Sequence, residues 1–157
     1  MIRYLLIITL FIFYACSNKK DLPSNAVNEK IALLKTDEAF SEMSVEKGMK
    51  AAFLEFIDSN GVLLKPNHLP IIGANAIEYI IERDDTSFIM NWQPHNAFVS
   101  KSADFGYTYG VYAVHPKNMD TVIYGNYVSI WKKQVDGNWK FVLDSGNEGI
   151  DSTFIEF

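Results

Sequence analysis

The apolar positions change their period twice along the chain. Residues 4–14 are an almost unbroken apolar run, with Leu5, Leu6, Ile7, Ile8, Leu10, Phe11, Ile12 and Phe13 following the short basic start Met1-Ile2-Arg3. The run is shorter than the roughly 20 apolar residues that a membrane-spanning helix needs, and it has the length of the apolar region of a signal peptide. Residues 17–25 are polar with one proline and read as a tether. Over residues 26–43 the spacing becomes helical. Val27, Ile31 and Leu34 make an i, i+4, i+7 series, continued on an adjacent stripe by Leu33, Phe40 and Met43. Ser44 is placed to cap a second helix over 45–57, with Val45, Met49, Ala52, Phe53 and Phe56 on one face. Asp58-Ser59-Asn60-Gly61 marks a stop and turn, Val62-Leu63-Leu64-Lys65 a short strand halted by Pro66, and 66–70 a loop with two prolines. A third helix is expected over 73–83 with Ala76, Ile77 and Ile80 inward.

After Asp84-Asp85-Thr86-Ser87 the period falls to two, and strands are expected over 88–99, 105–115, 122–135 and 138–144. Pro94, which cannot donate to a ladder, marks a bulge, a bend or an edge within the first. Asp136-Gly137 between apolar strands predicts a type I′ hairpin. Helices first and an antiparallel meander after them indicate an α+β domain with the helices packed on one face of a sheet.

Ala15-Cys16 ends the N-terminal apolar run with a small residue and the chain's single cysteine. This pair resembles a bacterial lipobox, in which lipid is attached to the cysteine and cleavage falls just before it; an ordinary signal peptide cut nearby and an uncleaved anchor are the alternatives. The expected organisation is a lipoprotein signal peptide over 1–15, a lipidated Cys16 and tether over 16–25, and one domain over 26–157. The address is then the cell envelope, on the periplasmic side or at the outer membrane, with the membrane reached through lipid alone. Several acyl chains give stable anchoring at about 0.8 kcal/mol per buried methylene. A single cysteine excludes an intrachain disulfide framework, and a domain of this length buries about two-thirds of its unfolded surface without a metal or disulfide staple. The 157 residues carry 14 basic and 19 acidic side chains, and loss of Arg3 makes the remainder one charge more acidic. A mildly acidic, mixed surface argues against nucleic acid as partner. Three Trp, eight Tyr and eleven Phe suit a core built around a concave sheet.

Four segments carry a family resemblance: Asp37-Glu38-Ala39-Phe40; Ile72-Gly73 with Ala76-Ile77; Gly106-Tyr107-Thr108-Tyr109-Gly110-Val111-Tyr112; and residues 125–147, including Trp131-Lys132-Lys133, Asp136-Gly137-Asn138-Trp139 and Leu143-Asp144. In this order, over residues 28–148, they resemble the nuclear transport factor 2-like superfamily, which includes SnoaL-like and ketosteroid-isomerase-like proteins, and within it the domain of unknown function 4440 type. The resemblance implies a cone: a curved antiparallel sheet closed on one side by three N-terminal helices, with a pocket inside, and a homodimer. Members use the pocket for isomerisation, cyclisation, hydrolysis, ligand binding or only dimerisation, so the fold alone assigns no function.

Asp37 falls inside the apolar arc of the first helix, between Leu33, Leu34 and Phe40. A buried carboxyl must be hydrogen-bonded or shift its pKa upward. It is the candidate catalytic base or ligand anchor, set against a structural hydrogen bond to the second helix or to a tyrosine. Tyr107, Tyr109, Tyr127 and Trp131 share parity along adjacent strands, as does Trp92. If that face is concave they line an aromatic pocket for a flat or apolar ligand; core packing or a dimer face is the alternative. His95, after Pro94, is a minor pocket candidate, and Lys65 and His68 are expected near the mouth. Asp144 and Asn147 sit at the expected end of the last strand, at the pocket mouth or in a turn. His68, His95 and His115 lack metal-ligand spacing, and no phosphate-binding loop or nucleophile elbow occurs. No metal or cofactor is therefore expected. Two readings follow: an anchored module holding a small organic ligand in the pocket, or a cofactor-free acid/base isomerase or hydrolase using Asp37 with a tyrosine.

Overall fold

The computed structural model describes residues 24–151 and 153, so the expected signal peptide and Cys16 lie outside the described residues. The first helix, α1, spans Ser24–Lys47, beginning two residues inside the expected tether and running through Ser44. The break falls instead at Gly48, whose φ of 91° suits a residue without a Cβ. α2 (Met49–Phe56) follows with no side-chain cap, and α3 (Ala74–Glu82) starts after Gly73. Among the described residues no helix is long and apolar enough to cross a membrane.

The buried face of α1 is Leu33, Asp37, Phe40, Ser41 and Ser44, an i, i+4, i+7, i+8, i+11 stripe. Val27 and Ile31, expected inward, are 58 % and 47 % exposed. The stripe that wins is the one carrying the polar residues, because each finds a partner on the sheet. Ser41 Oγ donates to the Trp92 carbonyl at 2.7 Å and accepts from the Trp92 N–H at 2.8 Å, and Ser44 Oγ donates to the Met90 carbonyl at 2.7 Å. Ser44 thus serves a strand, not a helix cap.

Six strands form one sheet: β1 (Ile57–Leu64), β2 (Ile71–Ile72), β3 (Phe88–Val99), β4 (Phe105–Pro116), β5 (Ile123–Lys133) and β6 (Trp139–Ile150), in the order β2-β1-β6-β5-β4-β3. All neighbours pair antiparallel except β1 with β6, so the sheet is mixed where a wholly antiparallel one was expected. β3 is an edge strand, and Ser41 and Ser44 of α1 occupy hydrogen-bonding groups on its open side, which otherwise invite pairing with another chain. Asp58 to Gly61, expected as a turn, lie within β1, where the register to β6 shifts between Ile57 and Val62. Ser145, Gly146 and Asn147, expected as a strand-end turn, are paired with β5 inside β6. The β5–β6 connection is not type I′, since Gly137 has φ 89° but Asp136 has no positive φ. It closes with Gly137 N–H on Gln134 O and Gln134 N–H on Asn138 O.

Register shifts in β3 at Pro94/Asn96 and in the β5–β6 ladder at Tyr124/Gly125 and Ile130/Trp131 are bulges that bend and twist the sheet. The helices lie against the concave face. Phe40 centres the core, with its ring centroid 4.5 Å from Trp92, 4.9 Å from Phe53 and 5.6 Å from Phe141.

Candidate functional site

Registers across β3 to β6 set residues in rows across the concave face, three of which bear on the site. One row reads Ala97, Thr108, Ser129, Asp144; the next Pro94, Gly110, Tyr127, Gly146; the third Trp92, Tyr112, Gly125, Glu148. The first row is a polar spine. Ser129 Oγ donates to Asp144 Oδ2 at 3.0 Å, while Lys65 Nζ pairs with Asp144 Oδ1 at 3.1 Å. Trp131 Nε1 donates to Thr108 Oγ1 at 2.8 Å.

Asp37 reaches this face from α1 and is fully buried. Its Oδ1 accepts from Trp92 Nε1 at 2.8 Å and its Oδ2 from the Tyr127 hydroxyl at 2.7 Å. Burial pushes the Asp37 carboxyl above its ordinary range; donors on Tyr127, Thr108 and Trp92 pull it back, and the Asp144 charge adds to the rise. Tyr127 is held protonated by burial first, then by the Asp37 charge and the hydrogen bond itself. Asp37 therefore ties helix to sheet; it does not bridge the two helices.

A cavity of about 220 Å³ opens on the concave face, walled by Phe40, Phe53, Met90, Trp92, Val114 and Tyr127, with Lys65, Pro66, Tyr112, Asp144 and Glu148 also lining it. The structure brings together Trp92, Tyr127 and Asp144 of the expected pocket residues, and places Lys65 beside them. Trp131 shares the face but is wholly buried in the core and does not line the cavity. Tyr107 and Tyr109 do not belong to it. β4 pairs with β5 so that Gly106 meets Trp131 and Gly110 meets Tyr127; even positions of β4 thus share a face with odd positions of β5, and equal parity meant opposite faces. Tyr107 stands on the convex side, stacked on Phe98 at 5.1 Å, with Tyr109 6.5 Å further along. His95, at the bulge, turns with them, 5.7 Å from Tyr109. His68 packs edge-on against Tyr79 at 5.4 Å, and Asn147 is exposed.

Sequence reasoning missed Tyr112. Its phenol lies across the glycines of the neighbouring strands: a Cβ at Gly125 would overlap the Tyr112 hydroxyl, and one at Gly146 would come within 3.2 Å of its ring. Glycine on two adjacent strands is the signal, legible only once the register is known.

No protein-family model matches the chain, and no curated protein matches it. Solved structures do. A ketosteroid isomerase-like protein from Erwinia carotovora atroseptica superposes with TM-score 0.61 at 15 % identity, covering 79 % of this chain and 99 % of that one. A nuclear transport factor 2-like protein of unknown function from Pseudomonas putida gives 0.62 at 10 % identity, covering 80 % and 90 %. A hexachlorocyclohexane dehydrochlorinase from Novosphingobium barchaimii gives 0.57 at 16 % identity, covering 81 % and 92 %. Three helices closing a curved six-stranded sheet are thus the cone-shaped α+β fold of nuclear transport factor 2-like proteins.

Proposed function

We propose that this protein is an envelope lipoprotein, anchored through Cys16, whose cone holds a small organic ligand in its aromatic pocket and which pairs with a second copy of itself. The observation that carries the binding reading is the 220 Å³ cavity with five aromatic rings and a few polar groups around it, the composition of a small-molecule site. Convex-face rings support the pairing: Phe98, Phe105 and Tyr107 are each more than two-fifths exposed, an apolar cluster of the kind that marks an interface. Equilibrium dialysis against small aromatic compounds tests the pocket. Val114→Trp, which fills the cavity, should abolish binding while the fold persists by circular dichroism; undiminished binding refutes the reading.

A second reading, cofactor-free acid/base catalysis of an isomerase or hydrolase type, draws on the raised Asp37 carboxyl and its bond to Tyr127, which does line the cavity. Both Asp37 oxygens are engaged, which favours binding over catalysis. Asp37→Asn separates the two: a structural role lowers the melting temperature, whereas a catalytic role leaves stability nearly unchanged and removes turnover.

A further inference from the structure

Resting on the pocket as a ligand site, we infer that its occupant is a small organic ammonium ion, a cationic nitrogen on an apolar body of one ring, and that Glu148 and the Tyr112 ring receive the nitrogen. The charged side chains on the lining are one lysine and two acids. Lys65 is already held by Asp144 at 3.1 Å. Glu148, at the rim, has no ion pair with any described residue. The lining is therefore left with one uncompensated negative charge. The groups of the chamber register the same sign. Burial comes first in raising the Tyr112 and Tyr127 phenols and the Asp37 carboxyl, and the neighbouring charges that add most to it are acids: Glu148 and Asp144 at Tyr112, Asp37 and Asp144 at Tyr127, Asp144 at Asp37. Asp144 is felt at all three despite its lysine.

Strand register puts the ring and the carboxylate together. Trp92, Tyr112, Gly125 and Glu148 form one row across the sheet. Gly125 has no side chain, and the Tyr112 phenol lies over it, toward its partner Glu148 on β6. A ring attracts a cation through its quadrupole, and a carboxylate takes the ammonium N–H groups. The chamber already holds one such arrangement, since the Lys65 ammonium lies 5.6 Å from the centre of the Phe53 ring while it pairs with Asp144. A ligand nitrogen between Tyr112 and Glu148 repeats that arrangement with groups not yet committed. An anion has only Lys65 to receive it, in competition with Asp144, and a neutral ring gains the walls without the charge. The volume sets the size: a dry cavity of about 150 Å³ holds benzene, so 220 Å³ holds one ring with a short substituent.

The test compares three probes of one ring each on the whole chain by titration calorimetry at neutral pH: benzylamine, its neutral isostere benzyl alcohol, and benzoate. Benzylamine should bind roughly five- to tenfold tighter than benzyl alcohol, the combined weight of one ion pair and one cation–ring contact, and added salt should narrow the gap. Glu148→Gln should weaken benzylamine roughly three- to fivefold and leave benzyl alcohol unchanged. If benzyl alcohol or benzoate binds as tightly as benzylamine, or if Glu148→Gln leaves benzylamine unaffected, the inference falls while the pocket stands. If benzylamine binds equally to the cavity-filled Val114→Trp variant, its site is elsewhere on the acidic surface and the inference falls as well. If no probe binds wild type, pocket and inference fall together.

Discussion

The Tyr127 hydroxyl donates to Asp37 Oδ2 at 2.7 Å across 90 residues of sequence, joining a helix-borne carboxyl to a ring that walls the cavity. The other carboxyl oxygen takes the indole of Trp92, a second wall residue. One buried acid thus positions two sides of the pocket. That arrangement explains why an acid persists on the inward stripe of α1 despite the cost of burying it.

Removing the acid should therefore be costly. Asp37→Ala leaves the Trp92 indole and the Tyr127 hydroxyl as buried donors without an acceptor, at about 1–3 kcal/mol each. Thermal denaturation should show a fall of roughly 10 °C, given 2–4 °C per kcal/mol for a domain of this size. A fall of less than 2 °C would show that the two bonds carry no weight.

The pH dependence has a definite sign. The Asp37 carboxyl is raised in the folded state above its ordinary value of 3.8, so its contribution is fully present below that value and is lost as pH rises through the folded one. Relative to Asp37→Asn, whose amide does not titrate, wild type should lose stability as pH is raised from below 3.8. Parallel stability curves for the two proteins would contradict the assignment.

Gly125→Ala places a Cβ against the Asn147 carbonyl and the Tyr112 hydroxyl. Overpacking of this kind costs about 1–3 kcal/mol. Adding Tyr112→Ala should relieve only part of the loss, since the Asn147 backbone remains. Full recovery in chemical denaturation would place the whole clash on the phenol.

Thr108→Val keeps the shape of the side chain but removes the acceptor of the Trp131 indole, which is wholly buried. A loss of about 1–3 kcal/mol is expected in urea titration; an unchanged midpoint would show that the indole bond carries no weight.

Cys16→Ser should abolish incorporation of labelled fatty acid and release the protein from membranes; unaltered fractionation would rule out the anchor. Independently, Tyr107→Lys on the convex face should shift sedimentation from dimer to monomer without unfolding, whereas a wild-type monomer would remove the pairing proposal.

Much of the fold was legible from local pattern. The helical spacing before residue 83 and the period of two after residue 88 gave the α+β order, and the bounds of β3 match the expected 88–99. These signals are local because a helix or strand repeats its environment every 3.6 or 2 residues. Asp37 was legible too, as an acid inside an apolar arc. Its partners were not, since they come from β3 and β5, which only folding brings to α1. Nor was the membership of the pocket. Alternation tells which residues of one strand share a side, but the offset between strands is a property of register, and a shift of one residue exchanges the faces. The bulge at Pro94/Asn96 makes such a shift at His95, and the unbroken β4–β5 ladder pairs odd positions of one strand with even positions of the other. Hence Tyr107, Tyr109 and His95 stand outside the cone and Tyr112 within it, an outcome set by long-range pairing that no run of neighbouring residues encodes.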